Sequence, residues 1–96
     1  ALDLAGKAFE MAPANVQVAD TYGWLLVRSG QAQQGLSIIR DAVDAGPANP
    51  GMQYHLAVAM AESGQRAEAE VLLRRLLRDN PDFPERAQAQ AYYDGM

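Results

Sequence analysis

The chain of 96 residues lacks cysteine and has one histidine, His55, and one lysine. Without cysteine it has no disulfide framework, no thiolate metal site and no cysteine nucleophile, and thiols give no indication of its compartment. Lysine and arginine total 8 against 12 aspartates and glutamates, for a formal net charge of -4. Because a nucleic-acid surface needs clustered basic residues, we expect no nucleic-acid partner.

Long apolar runs and β-branched residues are also scarce. No run approaches the roughly 18 apolar residues of a membrane-spanning helix, so we expect no span in this piece. Valine, isoleucine and threonine together number 9, whereas alanine alone numbers 18. Because alanine favours helices and β-branched residues favour strands, this composition predicts an all-α chain. Ala1 does not resemble a native start, so we expect further sequence before it.

A repeat of 34 residues runs through the sequence. Pro13, Pro47 and Pro81 are spaced by that period, and the first two each open the triplet Pro-Ala-Asn. The tripeptide Ser-Gly-Gln recurs at 29–31 and 63–65 with the same spacing. Three markers with one period predict a repeat architecture, and 34 residues is the length of a helix-turn-helix unit.

Local signals predict two helices in each unit. Asn15 and Asn49 are expected N-caps, and Pro50 stands at a first helical position, where its missing N–H costs nothing. Gly30 and Gly64 are expected to take the left-handed conformation that ends a helix. The predicted helices cover 16–29, 32–45, 50–63 and 66–79, with stops at Gly46-Pro47 and Asn80-Pro81.

Both units resemble the tetratricopeptide repeat, whose pattern is Trp-x2-Leu-Gly-x2-Tyr followed by Ala-x3-Phe-x2-Ala-x4-Pro. The matching residues of the first unit are Ala19, Tyr22, Gly23, Leu26, Gly35, Ile39, Ala42 and Pro47. Those of the second unit are Gln53, Leu56, Ala57, Met60, Ala69, Leu73, Leu76 and Pro81. The resemblance implies an all-α fold, a right-handed superhelix (α-solenoid) of antiparallel helix pairs with about six helices.

The same resemblance divides residues 1–96, taken as a single solenoid, into four parts. Residues 1–13 correspond to the second helix of a preceding repeat, 16–49 and 50–83 to two complete repeats, and 84–94 to a C-terminal capping helix. The small residues Gly23 and Gly35, like Ala57 and Ala69, are expected where the two helices of one repeat approach closely.

Candidate chemistry is sparse. His55 has no metal-ligating residue at the neighbouring positions and no nucleophile arranged with it. The sequence has no glycine-rich phosphate loop, no Gly-x-Ser-x-Gly and no His-Glu-x-x-His. We therefore expect no enzymatic activity, no metal and no cofactor, and we interpret His55 as a neutral imidazole in a groove or partly buried.

Trp24 lies off the core stripe of its helix, on the face that carries Gln17, Asp20 and Arg28. In tetratricopeptide arrays, the resemblance implies, this face of each first helix lines the concave groove that binds partner peptides. The candidate groove residues are Gln17, Asp20, Trp24, Arg28, Tyr54, His55, Val58 and Glu62. Tryptophan, tyrosine and arginine dominate binding hot spots. The alternative is that Trp24 packs between neighbouring helices as additional core.

A narrower similarity is to the C-terminal end of bacterial tetratricopeptide lipoproteins associated with exopolysaccharide and the exosortase (PEP-CTERM) sorting system. The runs that carry it are Asp20-Thr-Tyr-Gly-Trp, Tyr54-His-Leu-Ala-Val-Ala-Met, and Leu72–Leu77 followed by Phe83-Pro-Glu-Arg-Ala-Gln-Ala. It implies a periplasmic protein anchored to the outer membrane; otherwise we expect a cytoplasmic one.

The leading functional hypothesis is a non-catalytic scaffold that docks a protein or peptide partner. Two alternatives stay open: the recruiting region of a larger enzyme such as a glycosyltransferase, and a purely structural spacer without a partner.

Overall fold

The computed structural model describes residues 2–46 and 49–96, and over these ranges the chain is all-α with six helices. The helices are α1 (Leu2–Met11), α2 (Val16–Arg28), α3 (Ala32–Asp44), α4 (Pro50–Glu62), α5 (Arg66–Asp79) and α6 (Arg86–Asp94). Pro47, a marker of the repeat and of the predicted stop of α3, lies outside the described residues, as does Ala1. The all-α prediction is confirmed, and the bounds of α2 to α5 agree with the predicted ones within one residue.

The first helix of each repeat begins at an asparagine cap. The side-chain oxygen of Asn15 accepts hydrogen bonds from the backbone N–H groups of Gln17 at 3.0 Å and Val18 at 3.2 Å. Asn49 accepts in the same way from Met52 at 2.9 Å. These bonds satisfy donors that have no partner inside the helix, which is why both repeats start at this residue.

Both first helices end in the same glycine motif. Gly30 and Gly64 have φ angles of 85° and 89°, in the left-handed region that favours glycine. The N–H of Gln31 then reaches back to the carbonyl of Leu26 at 2.8 Å, and Gln65 repeats this bond to Met60. This 6→1 bond is the one that defines a Schellman motif. It reverses the chain, so the next helix runs back antiparallel.

Glycine also sets the distance between α2 and α3. A Cβ added to Gly35 would lie 2.5 Å from the carbonyl oxygen of Gly23, and one added to Gly23 would lie 2.5 Å from Cγ1 of Ile39. The equivalent residues of the next repeat, Ala57 and Ala69, are fully buried. The predicted close approach of the paired helices is confirmed in the first repeat by this contact.

The main core runs from the end of α2 to α6. Its fully buried members include Ile39, Leu73 and Ala89, from α3, α5 and α6, and Trp24, Tyr92 and Tyr93 pack against it. Within α5, Leu73 is fully buried, whereas Val71 is 39% exposed.

The last helix begins two residues later than predicted, at Arg86. A turn precedes it, closed by a 3.0 Å bond from the N–H of Arg86 to the carbonyl of Phe83. The Arg86 guanidinium donates to the carbonyls of Leu77 and Asn80, each at 3.2 Å. It thus satisfies acceptors at the C-terminus of α5 that lack helical partners.

The helices that open successive units lie side by side, because α2 packs against α4 and α4 against α6. Side chains that these three helices turn to one side therefore share one face.

Candidate partner-binding groove

Asp20 and His55 join α2 to α4. Nδ1 of His55 lies 2.9 Å from Oδ1 and 3.1 Å from Oδ2 of Asp20. Each side chain is 15% exposed. A carboxylate accepts and does not donate, so this contact places a proton on Nδ1. The pair fixes both the tautomer of the ring and its orientation.

Trp24 stacks on the imidazole that this pair holds. The centroids of the Trp24 and His55 rings are 4.2 Å apart, with an angle of 17° between their planes. The ring of Tyr54 lies 5.6 Å from that of Trp24, and the Arg28 guanidinium carbon lies 5.7 Å from the indole centroid. Five of the eight predicted groove residues therefore form one cluster.

Beside this cluster the surface is concave. The concavity has a volume of about 340 Å³ and is lined by Trp24, Val27, Arg28, Tyr54, Val58, Glu62 and Tyr92. The two valines are buried and form its apolar floor. Trp24 packs against the core and also lines this concavity.

Tyr92 also lines this concavity, although it is not among the predicted groove residues. Its hydroxyl donates to Oε2 of Glu62 at 2.8 Å. Burial and this hydrogen bond raise the pKa of Tyr92 to about 12. The signal for it is in the sequence: Trp24, Val58 and Tyr92 are separated by the 34-residue period. Applying the same period once more, from Val58 in α4 to α6, leads to Tyr92.

Tyr54 stands between opposite charges. Burial raises the pKa of Tyr54, the positive charge of Arg28 opposes this rise, and the carboxylate of Glu85 adds to it. Glu85 lies against the start of α4, where a Cβ added to Gly51 would be 2.7 Å from its Oε2. The absence of a side chain at Gly51 lets this carboxylate approach α4 near Tyr54.

Gln17 is the predicted groove residue that lies apart. It is exposed and lines a separate concavity between α1 and α2, together with Ala5, Ala8, Val18 and Thr21. The helical register places it on the same face as Asp20, but it stands one turn nearer the start of α2, where the neighbouring helix is α1.

The arrangement of the side chains and the length of the helices also bear on metal binding and on membrane insertion. Within residues 2–46 and 49–96, no group of three or more histidine, cysteine, aspartate or glutamate residues is placed to hold a metal ion. Over the same ranges, no helix combines the length and the apolar character needed to cross a bilayer.

A family model described as tetratricopeptide repeat matches residues 26–92, most of the chain. The chain belongs to the tetratricopeptide repeat family. Comparison with curated proteins and with solved structures gives no significant match. Tetratricopeptide repeats are generally protein-interaction modules, so the family points to a protein partner.

Proposed function

We propose that this tetratricopeptide chain is a non-catalytic docking module that binds a peptide or protein partner in the groove formed by α2, α4 and α6. The observation that carries the proposal is the cluster of Trp24, Tyr54 and Arg28 at a concave surface. These residue types supply most of the energy at protein interfaces when they sit in well-packed recesses.

The geometry of His55 supports the non-catalytic part of the proposal. A general base needs a proton to abstract from a nucleophile within hydrogen-bond reach. His55 contacts the Asp20 carboxylate at Nδ1, the stacked indole of Trp24 and the ring of Tyr54, and none of these groups is a nucleophile. These contacts fix the position of the imidazole beside the groove.

The cellular setting belongs to the same proposal. The similarity to exosortase-associated and exopolysaccharide-associated lipoproteins supports a scaffold in the bacterial envelope. Sequencing the complete gene tests this: a lipid-attachment signal and additional repeats favour the envelope scaffold, whereas a nucleotide-sugar domain favours the recruiting region of a larger enzyme.

Affinity capture with matched variants tests the groove. Wild-type protein, Trp24→Ala and Tyr54→Ala are compared with Glu68→Ala, a change at an exposed residue of α5 outside this concavity. We expect the two groove variants to lose a partner that wild type and Glu68→Ala retain, with all four helical by circular dichroism. If every captured partner is kept by both groove variants, the groove is not the binding site.

A further inference from the structure

The walls of the groove are helices, and this limits how a partner can bind. The backbone N–H and C=O groups of α2 and α4 bond within their own helices. No strand edge is offered here, so a ligand cannot add to a sheet and is recognised through side chains alone.

The size and lining of the concavity favour a narrow ligand. At about 340 Å³ it is near the lower limit of ligand pockets, which span roughly 300–1,000 Å³. A helix with its side chains is about 10–12 Å wide and docks by a row of apolar anchors in a long apolar groove. The aliphatic floor here consists of Val27 and Val58, which is too short for such a row. An extended peptide segment therefore fits this concavity better than a helix does.

The aromatic rings favour one kind of extended segment. Trp24 and Tyr92 are partly exposed at the concavity, and the buried Tyr54 lines it beside them. Proline-rich segments in the polyproline II conformation dock in such aromatic-lined grooves. That conformation has no internal hydrogen bonds, so its carbonyls are free to accept. Among the described residues, neither the indole N–H of Trp24 nor the hydroxyl of Tyr54 donates to a protein group.

The charges around the groove favour a basic ligand. Of the charged residues, Arg28 and Glu62 line the concavity, Glu85 and Arg66 lie near its tyrosines, and the Asp20 carboxylate is already bonded to His55. Arg28 lies over the Trp24 ring. In the part of the chain that the structure describes, Glu62 and Glu85 form no ion pair with a cationic side chain. A lysine or arginine of the ligand would therefore find the Glu62 carboxylate, which accepts from the Tyr92 hydroxyl, beside the aromatic rings.

We propose that the groove binds a proline-rich, lysine- or arginine-containing segment of a partner protein, with proline rings against Trp24 and Tyr92, which the buried Tyr54 supports, and a basic side chain at Glu62. This inference rests on the proposed docking function and specifies its ligand. It commits to a basic partner; an acidic segment held by Arg28 is the opposing outcome.

Trp24 is the only tryptophan, so its fluorescence reports on the groove directly. The probes are a synthetic proline-rich peptide with two lysines, the same peptide with glutamates for the lysines, and a glycine-rich peptide with the lysines kept. We expect the first to change Trp24 emission in a saturable way and to bind at least several times more tightly than the other two. Equal or tighter binding of the glutamate peptide, or equal binding of the glycine peptide, overturns the proposal.

A matched pair of variants locates the basic side chain. Glu62→Gln is expected to weaken the proline–lysine peptide by about two- to fivefold, the contribution of an exposed ion pair. Glu68→Gln, the same substitution on the solvent side of α5, should leave its affinity unchanged. Equal affinities for wild type and Glu62→Gln would also overturn the assignment.

Selection from a random peptide library separates this inference from the docking function. Binders that depend on Trp24 and Tyr54 but lack proline or carry acidic residues would refute the ligand class and keep the groove. A selection in which no binder depends on Trp24 or Tyr54 would refute the groove itself. Binders rich in proline and basic residues that require Tyr54 support both.

Discussion

At the scale of single residues, Gly35 shows how a missing side chain determines packing. Its Cα faces the backbone of α2, where a Cβ would meet the Gly23 carbonyl oxygen at 2.5 Å and Cγ2 of Val27 at 2.7 Å. The first of these is a main-chain atom that moves only if the whole helix moves. The glycine is therefore required by the distance between the helices and not by a turn.

We expect Gly35→Ala to lower the free energy of unfolding by about 1–3 kcal/mol, the usual cost of inserting a group into a packed interface. Gly46→Ala is the control, because a Cβ there meets nothing within 4 Å. Urea denaturation followed by circular dichroism measures both. Equal midpoints for Gly35→Ala and wild type would mean that α2 and α3 separate at little cost.

The raised pKa of Tyr92 predicts that the folded protein loses stability at high pH. Its folded-state pKa of about 12 exceeds the value of roughly 10 expected in an unfolded chain, so the folded state favours the protonated phenol. The stability that this contributes is fully present below pH 10 and is lost as the pH rises toward 12. Burial is the largest single cause of the shift, and Glu62 adds to it.

Titration of tyrosines labelled with ¹³C at Cζ measures this shift residue by residue. We expect the Tyr92 signal to titrate near pH 12, and Glu62→Gln to lower that midpoint without returning it to the ordinary value. Tyr92→Phe identifies the signal by removing it, whereas Tyr93→Phe leaves it in place. A Tyr92 midpoint near 10 would show that its hydroxyl is solvated and not held by Glu62.

Of the seven residues that line the concavity, the sequence predicts five and misses Val27 and Tyr92. Helical register places Trp24 and Arg28 on one face of α2, the 34-residue period places Tyr54 on the matching face of α4, and the family resemblance implies that this face is the groove. Tyr92 is absent from the predicted residues because the 34-residue period is applied from α2 to α4 but not from α4 to α6. The pairing of Asp20 with His55 depends on the packing of α2 against α4, and no local pattern specifies which side chains meet across two helices.

At the scale of helices, the ends of α2 and α4 show why boundaries were predictable. Each begins at an asparagine that caps N–H groups two or three residues ahead, and each ends at a left-handed glycine. Both devices act within a single turn, so the sequence contains all that they need. The start of α6 was wrong by two residues because it depends on Arg86 contacting carbonyls of α5, which is a tertiary contact.

Replacing either cap should destabilise the protein to a similar extent. Asn15→Ala and Asn49→Ala are each expected to cost about 1 kcal/mol, since alanine cannot accept from the first-turn N–H groups. Gln33→Ala, at an exposed position within α3, serves as the control and should change the free energy of unfolding by less than about 0.5 kcal/mol. If the control costs as much as the caps, the loss does not come from capping.

At the scale of the whole molecule, the two flanking helices differ in how deeply their side chains are buried. α1 has no buried residue, and Leu4 and Met11 on it are 73% and 86% exposed. α6 places Ala89 in the core and packs Tyr92 and Tyr93 against it. The sequence predicts the first as the second helix of a preceding repeat and the last as a capping helix, but the apolar surface that each buries depends on the neighbours that the fold gives it.

Matched deletions of 13 residues from either end test this asymmetry. Stability in a repeat array is approximately the sum of each unit and its contacts with its neighbours, so removing a helix costs what its interface contributed. We expect the 14–96 chain to keep a cooperative thermal transition close to that of 1–96. The 1–83 chain should melt at least about 10 °C lower, because it exposes the core surfaces that Ala89 and the two tyrosines cover. Circular dichroism melts of the three chains at equal concentration decide the matter. A 14–96 transition as low as that of 1–83 would mean that α1 stabilises the array as strongly as α6 despite burying no residue fully.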